Sequence, residues 1–418
     1  MADYFEIFNE KKIGVFRQRI DNKTASQRIA KIKNKNNDDD SFMILNLSSV
    51  IDKYIKWKKE LPRVKPYYAV KCNDDPILLT TLGTLGCTFD CASKNEMDKV
   101  LQLNLVKPED IVYANPCKSK RFIIYADSVG IRMMTFDNTE ELLKIKELHR
   151  NPEMLLRIGV SDPTAVGQLG NKFGCDPVSV APNLLQRAIE LQVKVIGIAF
   201  HIGSGGSEPS TFETAIKYSK ELFDLGIKLG HPMKILDIGG GFPGFDTDYV
   251  NMDKTIGIVN SALERHFPAG GNYEIIAEPG RFFACTPISV AANIIASVKV
   301  PANRITNKES DADKDGFMYY MNNGTYSSFN FKLYNRCFPL GEPLFPDPLK
   351  DKKLFHCTVW GPTCDGMDQV EDSSIKRQME VGEWIYYPNM GAYSSVVSST
   401  FNGFDNPKIY HIIDEKYL

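Results

Sequence analysis

From about residue 63 to about residue 280, short runs of β-branched and aromatic residues alternate with stretches whose apolar residues recur every three or four positions. The pattern predicts strands at Val64–Lys71, Thr88–Ala92, Asp110–Asn115, Met133–Asp137, Met154–Val160, Val195–Ile202, Lys234–Gly239 and Tyr273–Ala277. Helical segments separate them. Over Asn138–Arg150, Leu142, Ile145 and Leu148 fall on one side, and Asn138 is placed to cap the first turn. Ser210–Gly230 ends in glycine, as helices often do. Eight alternating β and α units predict an α/β barrel of the TIM type, with eight parallel strands. An open doubly wound sheet is the competing arrangement.

After residue 285 the helical period fades. Pro287–Val300, Gly316–Met321, Phe355–Val359 and Glu383–Tyr387 read as strands between glycine and proline turns, which predicts a second, mostly β domain. Lys11–Arg19 reads as a further strand of that domain. The predicted division is 46–285 for the barrel and 1–45 with 286–418 for the β-rich domain. Two hydrophilic stretches, Lys31–Asp40 and Asn303–Asp315, read as solvated loops. No internal repeat is evident.

Composition narrows the function classes. Two domains are the default for 418 residues, because single cores stop growing near ~250–300 residues. Lysine plus arginine (50) nearly balances aspartate plus glutamate (52), so no strong field is available for nucleic acid or an anionic membrane. There is no apolar run long enough to span a bilayer, and the amino terminus MADYFEIFNEKK is polar. A cytoplasmic protein is expected. The nine cysteines are odd in number and lack metal-type pairing, which favours reduced thiols and no metal site.

If the chain is a barrel, its functional groups should stand at the carboxyl ends of the strands. Lys71 ends the first strand, Asp90 lies on the second, His201 on the sixth, Gly239–Gly241 follow the seventh, and Glu278 follows the eighth. A partly desolvated lysine can condense with an aldehyde cofactor. On its own such a lysine is commonly a strand-end charge reaching water. Gly239, Gly240 and Gly241 would let backbone N–H groups close on a phosphate. They also meet the literal dinucleotide pattern G-x-G-x-x-G, but on the seventh strand and with Pro243 in the loop. Glu278 and Arg281 would suit a pyridine nitrogen and a phosphate, and together these groups meet the needs of pyridoxal phosphate. His201 could stack on a ring and Ser204 bind phosphate. In Trp360–Asp368, Cys364 offers a proton and Asp365 a charge for a distal ammonium. Tyr393 could complete a phosphate site.

The strings YYAVKCN, FDCASKNE, FHIGSG, DIGGGFPG, AEPGR, GTYSSFN, WGPTCDGMD, NMGAY and STFNGF, in this order, resemble the eukaryotic-type ornithine decarboxylase family. That family belongs to the alanine-racemase-like fold group of pyridoxal phosphate enzymes. The likeness runs from about Phe42 to Phe404. It implies pyridoxal 5'-phosphate carried on Lys71, with Asp90, Glu96 and Arg157 around the linkage. His201 would stack on the ring and Glu278 bind its nitrogen. Ser204, Gly239, Gly240, Gly241, Arg281 and Tyr393 would hold the phosphate. Cys364 would return a proton to the α-carbon. Asp365, Tyr326, Tyr334, Asn335 and Phe401 would meet the substrate.

The implied reaction is decarboxylation of L-ornithine to putrescine, the first step of polyamine biosynthesis. The implied assembly is a homodimer with shared active sites, and antizyme is the implied protein partner, matched at Lys118–Arg150. The chain runs 14 residues past Phe404, so no long carboxyl-terminal degradation extension is expected. One departure stands out. The family usually has aspartate where Asn335 stands, and a lost charge-assisted contact costs about 1.5–3 kcal/mol. Lysine, arginine or diaminopimelate are the alternative substrates. A non-catalytic, antizyme-inhibitor-like binding protein is the alternative class.

Overall fold

The computed structural model describes residues 7–8, 11–160, 164, 172–206, 208–335 and 339–418. The chain divides into two compact units, one of residues 51–283 and one of residues 1–50 with 284–418.

The first unit is a closed barrel of eight parallel strands, β1 (Val64–Ala69), β2 (Thr88–Cys91), β3 (Ile111–Tyr113), β4 (Met133–Phe136), β5 (Glu153–Ile158), β6 (Lys194–Phe200), β7 (Ile235–Asp237) and β8 (Glu274–Ala277). β8 closes on β1, with Ile276 opposite Lys65. These strands are mostly apolar because a parallel barrel covers both of their faces. Tyr67, Val112, Leu155, Ile196, Ile235 and Ile276 pack together in one core cluster. Burying each such side chain contributes about 1.5–3 kcal/mol. The helices start and stop where their residues dictate. Asn138 caps Thr139–Leu148 through the Glu141 N–H, and Gly230 ends Ser210–Leu229 in the left-handed region.

The strands are shorter than the sequence pattern predicts, and one difference matters. Lys71 lies just beyond β1, in a 3-10 turn over Val70–Cys72. The Tyr68 hydroxyl donates to the Asn73 carbonyl at 2.9 Å, and Asp75 caps the helix Pro76–Thr84 by accepting from Ile77 and Leu78. These bonds turn the chain before Lys71 can extend the strand.

The second unit is a ten-stranded mixed sheet. Its central strand, Ile288–Pro301, pairs with Phe42–Asn46, Asp315–Met321 and Trp384–Tyr387. Lys408–Asp414 lies parallel between Lys11–Phe16 and Phe42–Asn46. Gln369–Arg377 forms an outer strand against Leu354–Trp360.

Both predicted loops are partly helical. Lys31–Lys35 belongs to the helix Asn22–Lys35, capped by Asp21, with Ala25, Ile29 and Ala30 buried beneath it. Lys33 closes its end through an ion pair to Asp38 at 2.5 Å. Of the polar residues that suggested solvent, Lys31, Asn34 and Lys35 are exposed, while Lys33 is buried. In Asn303–Asp315, short helical turns cover Asn303–Thr306 and Glu309–Asp311. Asp311 is buried there, accepting from Thr306 at 2.8 Å and Lys314 at 2.7 Å. Among the described residues, no helix is long and apolar enough to cross a membrane.

Candidate active site

At the carboxyl ends of the strands, titratable groups converge inside an apolar wall. The Lys71 side chain remains 35% exposed, and its amine meets the fully buried Asp90 of β2. Burial pushes the Asp90 carboxyl up, while Lys71 and then Arg157 pull it back. Asp90 Oδ1 has no hydrogen-bond partner among the described residues. Arg157, from β5, is nearly buried and lies 5.4 Å over the Phe173 ring.

His201 directly follows β6. Burial, with the Arg157 and Lys71 charges, holds its imidazole well below the usual histidine range. Its Nδ1 accepts the Gly203 N–H at 3.0 Å, so the neutral ring carries its proton on Nε2. A neutral imidazole offers a flat face without a charge to solvate.

The turn after β7 needs its glycines. Gly239 has φ +62°, and a Cβ there would lie 1.9 Å from the Phe200 carbonyl oxygen. A Cβ at Gly240 would lie 2.6 Å from His201 Nε2. The turn is therefore pressed onto the end of β6. On its other side the Glu278 N–H donates to the Gly239 carbonyl at 2.7 Å.

Glu278 follows β8 and is buried. Burial first, then the Asp237 and Asp90 charges, pushes its carboxyl well above the usual range. Asp237, the last residue of β7, is fully buried beside it and pushed up to about 7, mainly by burial. Arg281 begins the short helix Arg281–Ala284. Glu96 lies within electrostatic reach of Asp90 and Lys71, and burial pushes its carboxyl up. Its carboxylate accepts the Ala92 N–H at 2.6 Å, helping Ser93 cap the helix Lys94–Gln102.

The other predicted residues lie in the β unit. The Tyr326 hydroxyl donates to Asp365, and the Tyr326 and Phe401 rings stand 4.6 Å apart. Cys364 is exposed, and its N–H donates to Asn402 Oδ1 at 3.2 Å. Tyr393 takes a left-handed backbone, φ 57°, beside the buried Ser394. Tyr334 and Asn335 end the helix Phe331–Asn335, and their side chains lie outside the described residues.

Two carboxylates went unassigned in the sequence. Asp237 was visible as an acid inside an apolar strand. Asp368 closes the loop that carries Cys364: its Oδ1 accepts from Thr325 N and Oγ1 at 2.7 and 3.0 Å, and its Oδ2 from Thr363 N and Oγ1 at 3.0 and 2.7 Å.

The barrel residues fit pyridoxal phosphate. Lys71 supplies the amine, His201 a neutral ring face, Glu278 a buried carboxyl, and the glycine turn with Arg281 a place for phosphate. The Asp90 and Asp237 oxygens left without donors are what a site built around a further charged group would contain.

Comparison with known proteins agrees with that fit. Residues 47–285 match the family described as pyridoxal-dependent decarboxylase, pyridoxal binding domain. The chain is 55% identical to ornithine decarboxylase of Panagrellus redivivus over 419 aligned residues, covering all of this chain and 96% of that one. It is 47% identical to ornithine decarboxylase of Caenorhabditis elegans, covering all of this chain and 97% of that one. Among solved structures it resembles the Paramecium bursaria Chlorella virus arginine decarboxylase bound to agmatine. The TM-score there is 0.85 at 35% identity, covering 93% of this chain and 100% of that one.

Proposed function

The chain belongs to the pyridoxal-dependent decarboxylases, and from that membership we infer that it converts L-ornithine to putrescine with pyridoxal 5'-phosphate, at the entry to polyamine biosynthesis. The observation that carries the reading is the Lys71 amine held against a buried carboxylate at a barrel mouth that also holds Glu278 and His201.

Bound pyridoxal phosphate supplies an aldehyde that condenses with amines and a protonated ring that accepts the electron pair left when carbon dioxide departs. The chain supplies everything else. Lys71 would hold the cofactor through its amine. Asp90 keeps the Lys71 amine oriented, and Arg157 offsets the charge of Asp90. His201 packs a neutral face against the ring. Glu278 holds the proton at the ring nitrogen. Ser204, Gly239, Gly240, Gly241, Arg281 and Tyr393 bind the phosphate.

In the β unit, the Cys364 thiol delivers a proton to the α-carbon after carbon dioxide leaves. The Asp365 carboxylate takes the substrate's far ammonium, lined by Tyr326, Tyr334 and Phe401. The reading extends to a cytoplasmic homodimer in which the Cys364 loop of one chain serves the barrel of the other, and to antizyme as a protein partner. The barrel, residues 46–285, would bind the cofactor, and 1–45 with 286–418 would supply the dimer contacts.

The test is carbon dioxide release from L-ornithine, L-lysine and L-arginine in parallel, with Lys71→Ala as the blank. Release from ornithine, abolished in the variant, is expected. Release from another amino acid alone would make Asn335→Asp the variant to examine next. Activity near the wild-type rate in Lys71→Ala would refute the assignment of Lys71.

A further inference from the structure

The carboxyl of Asp237 has no place in the mechanism above, yet it is among the most enclosed groups at the barrel mouth. It is 0% exposed. Its Oδ1 accepts the Gly239 N–H at 2.8 Å. Its Oδ2 is buried without a donor, and the Glu278 N–H bonded to the Gly239 carbonyl at 2.7 Å brings the buried Glu278 carboxyl within reach of its charge. Two carboxylates cannot hydrogen-bond to one another. A bond between them needs one proton, and in this enclosure two adjacent negative charges would be strongly unfavourable.

The surrounding charges support the same count. Lys71 and Arg157 are the cations facing the pair, and Asp90 is the further carboxylate. His201, on β6, is neutral. Tyr67, on β1, is pushed up by burial and by nearby carboxylates including Asp237, and remains a neutral phenol. With one proton held between Asp237 and Glu278, the cluster is electrically neutral. With none, it carries an unbalanced buried charge.

We propose that Asp237 is a positioning residue that shares a single proton with Glu278, fixing both the orientation and the single negative charge of the carboxyl pair that faces the cofactor ring. The proposal rests on the reading of Glu278 as the partner of the ring nitrogen. The Gly239 N–H pins Oδ1, so Oδ2 is the oxygen turned to Glu278. Asp237→Asn can keep the first bond and place an N–H donor in the second. Asp237→Ala can make neither.

Thermal unfolding of the cofactor-free full chain between pH 5 and 8 reads the proton directly. Asp237 is raised in the folded chain above its unfolded value of 3.8, to about 7. Its contribution to stability is therefore complete below pH 4 and is lost as pH rises toward 7. Asp237→Asn should remove about one proton from the pH dependence between pH 5 and 7. Equal slopes in the two proteins would overturn the shared proton.

Fluorescence titration with pyridoxal phosphate gives the second readout. Asp237→Ala should weaken binding by about 10-fold or more, and Asp237→Asn should recover most of that loss. Equal weakening in both variants would overturn the positioning role. If Asp237→Ala does not fold, the slope of Asp237→Asn decides alone. A changed slope with identical cofactor affinity in all three proteins would overturn the placement of Glu278 at the ring nitrogen and leave the shared proton standing.

Discussion

Asp368→Asn should loosen the loop that carries Cys364 and Asp365 while sparing the rest of the sheet. The wild-type carboxylate is 1% exposed and accepts four hydrogen bonds, two from Thr325 and two from Thr363. An amide keeps one acceptor oxygen and turns two N–H groups toward the other pair of donors. A threonine hydroxyl can rotate and accept, but a backbone N–H cannot. One buried N–H is left unpaired, which costs about 2 kcal/mol. For a domain of this size that corresponds to a fall in Tm of about 4–8 °C. Repacking gives little relief, because Gly324 and Gly361 lie so close that a Cβ on either would be 2.2 Å from Asp368 Oδ1. The assay pairs differential scanning calorimetry with iodoacetamide labelling of the Cys364 peptide followed by mass spectrometry. Labelling should accelerate and kcat should fall. A Tm within about 1 °C of wild type, with unchanged labelling, would refute the idea that this carboxylate holds the loop.

Two further outcomes separate the roles assigned above. Mixing Lys71→Ala with Cys364→Ala chains should restore up to about a quarter of wild-type activity, since half the dimers are mixed and each mixed dimer regains one of two sites; no recovery, with subunit exchange shown, would place each site within one chain. Gly239→Ala should destabilise the barrel by at least about 2 kcal/mol in urea unfolding, because its methyl group would meet the backbone oxygen of Phe200 at 1.9 Å and cannot be moved aside as a side chain could. Wild-type stability there would mean that the turn relaxes without cost.

The barrel was legible because its signal is local and repeated. Each strand is a short apolar run, and each helix declares its ends through a cap such as Asn138 or a glycine such as Gly230. The β unit was less so. Gln369–Arg377 reads QVEDSSIKR and becomes a strand only because Leu354–Trp360 offers it an edge. Lys31–Lys35 was read as solvent because four of its five residues are polar, although its helix buries Ala25, Ile29 and Ala30. The site shows the same division. Lys71, His201, Gly239–Gly241 and Glu278 stood out because each follows an apolar strand. Asp368 did not, and Asp237 showed only as an acid inside an apolar strand, because nothing in a linear string tells whether an acid faces a donor, another acid or water. Glu96 carries a motif position, and its carboxylate also bonds the chain at the start of the helix Lys94–Gln102.

Lys408–Asp414 is a strand inside the sheet, with partners from residues 11–16 on one side and 42–46 on the other. During synthesis those early segments must wait until residue 414 has emerged, roughly 20–80 s at ribosomal rates. The barrel, made of the uninterrupted stretch 51–283, has no such dependence and can fold while its surroundings are still incomplete. For that interval Lys11–Phe16 and Phe42–Asn46 present unpaired edges in the crowded cell. Nascent chains stalled before residue 408 should therefore show a protease-resistant barrel joined to a degradable remainder, and that stage is where chaperone capture would matter most.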